Sequence, residues 1–423
     1  MIDLTIIPGF RCSNYLKPEV RIYSSEKLQL SIEAFKKKEK FLDLNYEVGE
    51  GLNKIFLDFG NHHGKINLQF KFYKNQHEIV FSKGYEYEII NSGCKSTTLI
   101  DGCWVSIYHW SEDEGRWFNE DLKNLEDEDW KQIIQDMNEI GIKGVIIQNV
   151  FYCNEYAGQH DMTIENYKGL AFYPSKIYPQ KFPIKARDPI EAILSKADEL
   201  NMNVFLGVGL FAWFDFSYES LKWHKNITKE LWEMYGHHPS LYGWYISEEM
   251  FGSLYYEYPH LPPESYKDIV KFFEEYKDFV KDLTPTKPVA LAPNNIRFHE
   301  FLKEWEEILK NVDIVIPFGF ARDSENLNID KITEVCQKTE THFWVDMEMF
   351  AWPIDNGLVP KTPEDLIKEI RMYDDVEQIY GYQYIGIMNS PSFRYQLGGE
   401  KTRILYNEYH KYYSHIKSKN SLD

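Results

Sequence analysis

The sequence predicts a (β/α)8 barrel, an α/β fold of TIM type, preceded by a small N-terminal β-sandwich. Three observations carry this. From residue 97 onward, apolar strand-like runs alternate with amphipathic helical stretches through eight units. The first of these units lacks the glycine-rich phosphate turn that a doubly wound open sheet would carry, because CWVSIYH (103–109) continues into no such loop. Residues 1–95 instead show short period-two runs divided by turn-rich pieces, without helical periods.

In the N-terminal part, strands are predicted at 28–32, 54–59, 65–72, 78–81 and 85–90, separated by turns such as VGEG (48–51) and GNHHG (60–64). His62 and His63 are read as solvated turn residues rather than metal ligands. Division into a β-sandwich accessory domain (1–95) and a catalytic barrel domain (96–423) follows from the change of style at NSGCKS. Barrel strands are expected at 99–109, 144–151, 203–213, 241–247, 288–293, 313–318, 343–349 and 381–389. The helices between and after them are expected at 126–140, 189–201, 218–235, 263–283, 298–309, 329–339, 363–373 and 401–416.

Charge and composition exclude several classes of function. The 423 residues carry a net charge of −19. Residues 1–95 hold 14 Lys and Arg against 12 Asp and Glu, a net of +2, so residues 96–423 carry −21. A field of that sign repels phosphate backbones and anionic lipid, so neither nucleic acid nor membrane is an expected partner. Five scattered cysteines without a CxxC spacing suggest a reducing compartment and no structural zinc. The opening MIDLTIIPGF has neither a basic segment nor a sustained apolar run. A cytoplasmic location is therefore expected, or a secreted one if a leader has been removed.

A barrel places its chemistry at the carboxyl ends of its strands, which turns the strand assignments into candidates. They are His109 and Trp110 on strand one, Gln148, Asn149 and Tyr152 on strand two, and Trp213 on strand three. Strand four supplies Glu248 and Glu249, strand five Asn294 and Arg297, and strand six ends in FGFAR (318–322). Strand seven supplies Asp346, Glu348 and Trp352, and strand eight Gln383, Tyr384 and Asn389. Amides, aromatics and carboxylates in this mixture suit a neutral polyol, with flat apolar faces for sugar rings. Clustered histidines of HxH type are missing from strand one, so no metal or other cofactor is expected.

Paired carboxylates are the chemistry that remains. Burying an unpaired carboxylate costs several kcal/mol, roughly. Acids on the core-like strands LYGWYISEEM and THFWVDMEMFAW are therefore expected to open into a cleft. On strand seven, Trp344, Asp346 and Glu348 alternate onto one face. Glu348, nearest the exit, is the expected nucleophile, and Asp346 lies one layer deeper. Of the adjacent pair on strand four only one can face the cleft, and Glu249 is preferred, with Glu248 turned toward loop or helix partners. The expected activity is hydrolysis of a neutral oligosaccharide or glycoside by a two-carboxylate mechanism. A carbohydrate-binding barrel without turnover and a transglycosylase are the alternatives.

The segments GCWVSIYHW, NEIGIKGVIIQNVFY, GWYISEEM, VDIVIPFGFAR, WVDMEMF and GYQYIGIMNSPS resemble a bacterial family of glycoside-hydrolase-like TIM barrels described as a domain of unknown function. The resemblance spans residues 97–415. More distantly, the chain is similar to the retaining-glycosidase superfamily, with a strand-four glutamate as acid/base and a strand-seven glutamate as nucleophile. That implies Glu249 and Glu348 for these roles. Two departures stand out: Glu248 occupies the position where the superfamily usually carries Asn, and Phe318-Gly319 replaces a Gln-Asp pair common in the family.

Overall fold

The computed structural model describes residues 1–74, 78–152, 170–208, 215–257, 262–323, 328–351 and 357–421. Eight parallel strands form a TIM-like barrel. Around the ring they are Gly102–Val105, Gly144–Ile147, Asn203–Gly207, Leu241–Ile246, Val289–Leu291, Ile314–Val315, a seventh in two pieces (His342–Phe343 and Val345–Glu348), and Ile379–Tyr382. The seventh is interrupted at Trp344, whose N–H donates to the Val315 carbonyl at 3.0 Å. Its first piece pairs with strand six and its second with strand eight, and strand eight pairs with strand one, closing the ring.

Alternation along each strand sorts side chains between the barrel interior and the surrounding helices. Trp104, Ile146, Phe205, Tyr245, Ala290, Ile314, Trp344 and Tyr380 fill the interior as one buried cluster. Each large apolar side chain so buried contributes roughly 1.5–3 kcal/mol. Their neighbours Trp244, Ile246, Val345 and Met347 join the second, larger core beneath the helices. Trp244 places its indole N–H against Thr284 Oγ1 at 3.0 Å there. Helix starts follow the sequence signals: Asp188, Ser217 and Thr362 cap Pro189–Leu200, Tyr218–Tyr235 and Pro363–Ile370 through their side chains.

The N-terminal strands make two sheets over a core of their own. Ile2–Ile7, Glu19–Ser24 and Gly51–Phe56 form an antiparallel three-stranded sheet. Arg11–Ser13, Ile79–Ile90, Gly64–Tyr73, Leu28–Lys36 and Glu39–Val48 form the other, in that spatial order. This module packs under the amino-terminal end of the barrel. Ile7 reaches the interior cluster, and Tyr242 donates its hydroxyl proton to the Ile6 carbonyl at 2.6 Å. Buried Arg11 bonds Asp101 at 2.5 Å and the Gly141 and Ile100 carbonyls at 2.9 Å each. One barrel mouth is thereby closed, leaving the carboxyl-end mouth for a ligand.

Several elements differ from expectation. Strands 2–7, 11–13, 19–24 and 39–48 were not predicted, and Ile79–Ile90 is one strand rather than two. The barrel strands are shorter than their apolar runs: strand one stops at Val105 and strand eight at Tyr382. Residues past those ends leave the period-two register, which matters for the candidates placed there.

Candidate active site

A cavity of about 350 Å³ opens at the carboxyl ends of the strands. Strand four lines it with Tyr245, Ser247 and Glu249, three residues at period two. Strand seven lines it with Asp346, Glu348 and Phe350, again at period two. Single bridges carry the sheet beyond its regular strands, linking Phe251 to Asn294, Asn294 to Phe318 and Phe318 to Asp346. These bridges hold the two acid-bearing strand ends in register around one hollow. Aromatic faces from Trp104, Trp110, Phe318 and Tyr382 complete much of its wall.

The cavity gathers more acidic side chains than expected, because Glu114, from the loop after strand one, joins Glu249, Asp346 and Glu348. Burial, reinforced by Glu114 and Glu348 and opposed by Arg322, pushes the Glu249 carboxyl up to about 8. Burial likewise raises Glu114 to about 7, against the pull of Arg322. Asp346, 5% exposed, is pushed well above the usual carboxylate range by burial and then by Glu348 and Glu249. Its Oδ1 has no hydrogen-bond partner among the described residues. Arg322 lies over the Phe318 ring, 5.7 Å from its centroid, and bonds Glu348 with Nε and Nη2. Gly319 permits that return of the chain, with φ at +87°.

Of the sequence candidates, the structure brings Glu249, Glu348, Asp346, Trp110, Gln148 and Asn294 to the cavity. Glu248 points to the opposite side of its strand, fully buried and 3.9 Å from His224 on helix Tyr218–Tyr235. Alternation excludes it from the wall that Glu249 occupies. His109 is buried behind Glu114 and Tyr382, with Nε2 3.3 Å from the Tyr382 hydroxyl and 3.6 Å from Glu114. Burial lowers it to about 4, so it is neutral near pH 7.

The remaining candidates serve packing or local bonding instead. Asn149 donates to the Phe151 carbonyl, and Tyr152 packs on Phe182 with ring centroids 4.3 Å apart. Arg297 pairs with Glu300 at 2.7 Å on the surface. Gln383 accepts from Ser106 Oγ at 2.6 Å, Tyr384 belongs to the core under the helices, and Asn389 donates to the Tyr395 carbonyl at 2.9 Å. For Gln383, Tyr384 and Asn389 the cause is common: strand eight ends before them. Trp213 and Trp352 lie outside the described residues. Glu114, Tyr245 and Tyr382 were missed, and Arg322 was seen only as part of the strand-six ending. Period two counted back from Glu249 would have found Tyr245. No pattern marks Glu114, in the acidic aperiodic run SEDEGR.

Fold and cavity together define a TIM-type barrel with acids from strands four and seven facing one cleft. The chain belongs to DUF4434, a domain of unknown function whose sequence profile matches residues 100–395. None of the curated proteins matches the sequence. Among solved structures, a candidate alpha-L-fucosidase from Bacteroides thetaiotaomicron is similar with a TM-score of 0.56 at 20% identity, over 75% of this chain and 93% of that one. A beta-D-glucuronidase of Dictyoglomus thermophilum gives 0.44 at 14% identity, over 97% of this chain and 68% of its own. The Bacteroides uniformis beta-glucuronidase gives 0.45 at 12% identity, and this chain spans 50% of its length.

Proposed function

We propose that the protein is a retaining glycoside hydrolase of neutral oligosaccharides or glycosides, with Glu249 as acid/base and Glu348 as nucleophile. The observation that carries this is the pairing of a raised acid with an ion-paired carboxylate in one cavity. Glu249, held near 8, carries a proton at neutral pH. Glu348 is matched instead by the guanidinium of Arg322. In the first step the Glu249 proton passes to the glycosidic oxygen while a Glu348 oxygen bonds the anomeric carbon, releasing the aglycone. Water then cleaves the glycosyl ester, giving its proton to the Glu249 carboxylate and freeing Glu348. The glycosidase named among the similar folds supports the substrate class, and the aromatic wall suits a sugar ring.

Turnover of a panel of aryl glycosides, followed by NMR of the first-formed anomer, tests this reading. Retention of configuration is expected, and inversion would remove Glu348 from the nucleophile role. One observation favours a second reading, a carbohydrate-binding barrel without turnover: Arg322 bonds the very carboxylate that must attack. Retention of glycans on an array with no product formed would support that alternative. Products longer than the starting glycan would point to transglycosylation.

A further inference from the structure

Away from the cleft, on the outer wall of the barrel, Glu191, His237 and His238 bring one ligand atom each to within 4.8 Å of one another. Glu191 belongs to the first turn of helix Pro189–Leu200, and the two histidines to the turn before strand four. His238 is nearly buried, with Nε2 3.0 Å from Glu191 Oε2 and Nδ1 2.6 Å from Asp198 Oδ2. The other Asp198 oxygen accepts the Ser240 backbone N–H at 2.8 Å, which fixes that carboxylate. His237 stands exposed beside this set, its ring centroid 4.1 Å from that of His238.

We propose that Glu191, His237 and His238 bind a divalent cation of zinc type, with Asp198 orienting His238 from behind. Two imidazoles and a carboxylate are a donor set that zinc accepts, with bonds of roughly 2.0–2.2 Å. Two ligands at tetrahedral angles on such an ion stand roughly 3.3 Å apart, close to the Glu191–His238 separation. A carboxylate on the far nitrogen of a ligating histidine is the usual support for that ligand, and Asp198 holds this place. His237 closes on the ion by side-chain rotation, and water completes the shell. The ion would tie helix Pro189–Leu200 to the start of strand four, Leu241–Ile246.

Titration of the EDTA-treated, untagged full chain with zinc chloride, followed by calorimetry, tests the site. Saturable 1:1 binding is expected. His237→Ala and Glu191→Gln should each weaken it at least tenfold, and Asp198→Asn by about 10–100-fold. His237 is exposed, so its removal leaves the fold intact even if a His238 variant does not fold. Absence of saturable binding, or binding indifferent to both His237→Ala and Glu191→Gln, overturns the proposal.

Discussion

Arg322 holds Glu348 by both carboxylate oxygens, its Nε lying 3.1 Å from each. The arginine side chain is 44% exposed and the glutamate 8%. The cation therefore reaches solvent, whereas the carboxylate is enclosed in the cavity wall. In the proposed mechanism Arg322 keeps the nucleophile aligned for its attack on the sugar.

Loss of the acid should depend on the leaving group. Glu249→Gln is expected to lower kcat/KM by about 10²–10⁴ for glycosides with poor leaving groups. Activated aryl glycosides, which depart without protonation, should lose far less. A plot of log kcat/KM against leaving-group pKa checks this, and an equal loss across the series would contradict the role.

Two neighbours of Glu249 act on its proton with opposite sign. Glu114 raises the carboxyl and Arg322 lowers it. The alkaline limb of the pH–rate profile, set by loss of the Glu249 proton near 8, should move to lower pH in Glu114→Gln. In Arg322→Gln it should move to higher pH, with a fall in kcat/KM of at least about tenfold from the loosened nucleophile. Shifts in the same direction would refute the electrostatic account.

The same proton has a consequence for stability. Glu249 titrates near 8 when folded and near 4.3 in an unfolded chain, roughly. Between those values the folded state binds the extra proton, so this contribution is complete below the lower value and lost as pH rises toward 8. Glu249→Gln, which cannot ionise, should gain on the parent between pH 5 and pH 8. After discounting for the open side of the cleft, the gain is on the order of 1–2 kcal/mol. Urea unfolding at the two pH values measures it.

Beneath the barrel, Arg11 makes three buried bonds to Asp101, Gly141 and Ile100. Arg11→Ala leaves the Asp101 carboxylate buried without its cation and should cost about 3–5 kcal/mol. Denaturant midpoints report it. A loss below about 1 kcal/mol would show that the N-terminal module is not anchored through this pair.

Strand four shows what the sequence discloses. Its apolar run and its two terminal acids suggest both a strand and a cleft, and period two accounts for Glu249 lining the cavity while Glu248 lies 3.9 Å from His224 on the other side. The rule of strand carboxyl ends fails where strands end early, as at Gln383, Tyr384 and Asn389, because loop geometry then decides orientation. Strand 19–24 was missed for another reason. The charged Glu19 and Arg21 interrupt its apolar pattern, yet both are buried, paired with each other and, respectively, with His342 and Asp313 across to the barrel. Such pairing depends on distant residues that no local pattern announces. Glu114 reaches the cavity through a loop, and it is equally silent in the sequence.

The central claim is that Glu348 forms a covalent bond to the sugar. Incubation with an activated 2-deoxy-2-fluoro glycoside, which slows release of the glycosyl ester, followed by peptide mass mapping, tests it most directly. The account predicts one glycosyl adduct, located on Glu348 and absent from Glu348→Gln. Continued turnover without any adduct, or an adduct on another acid of the cavity, would contradict it.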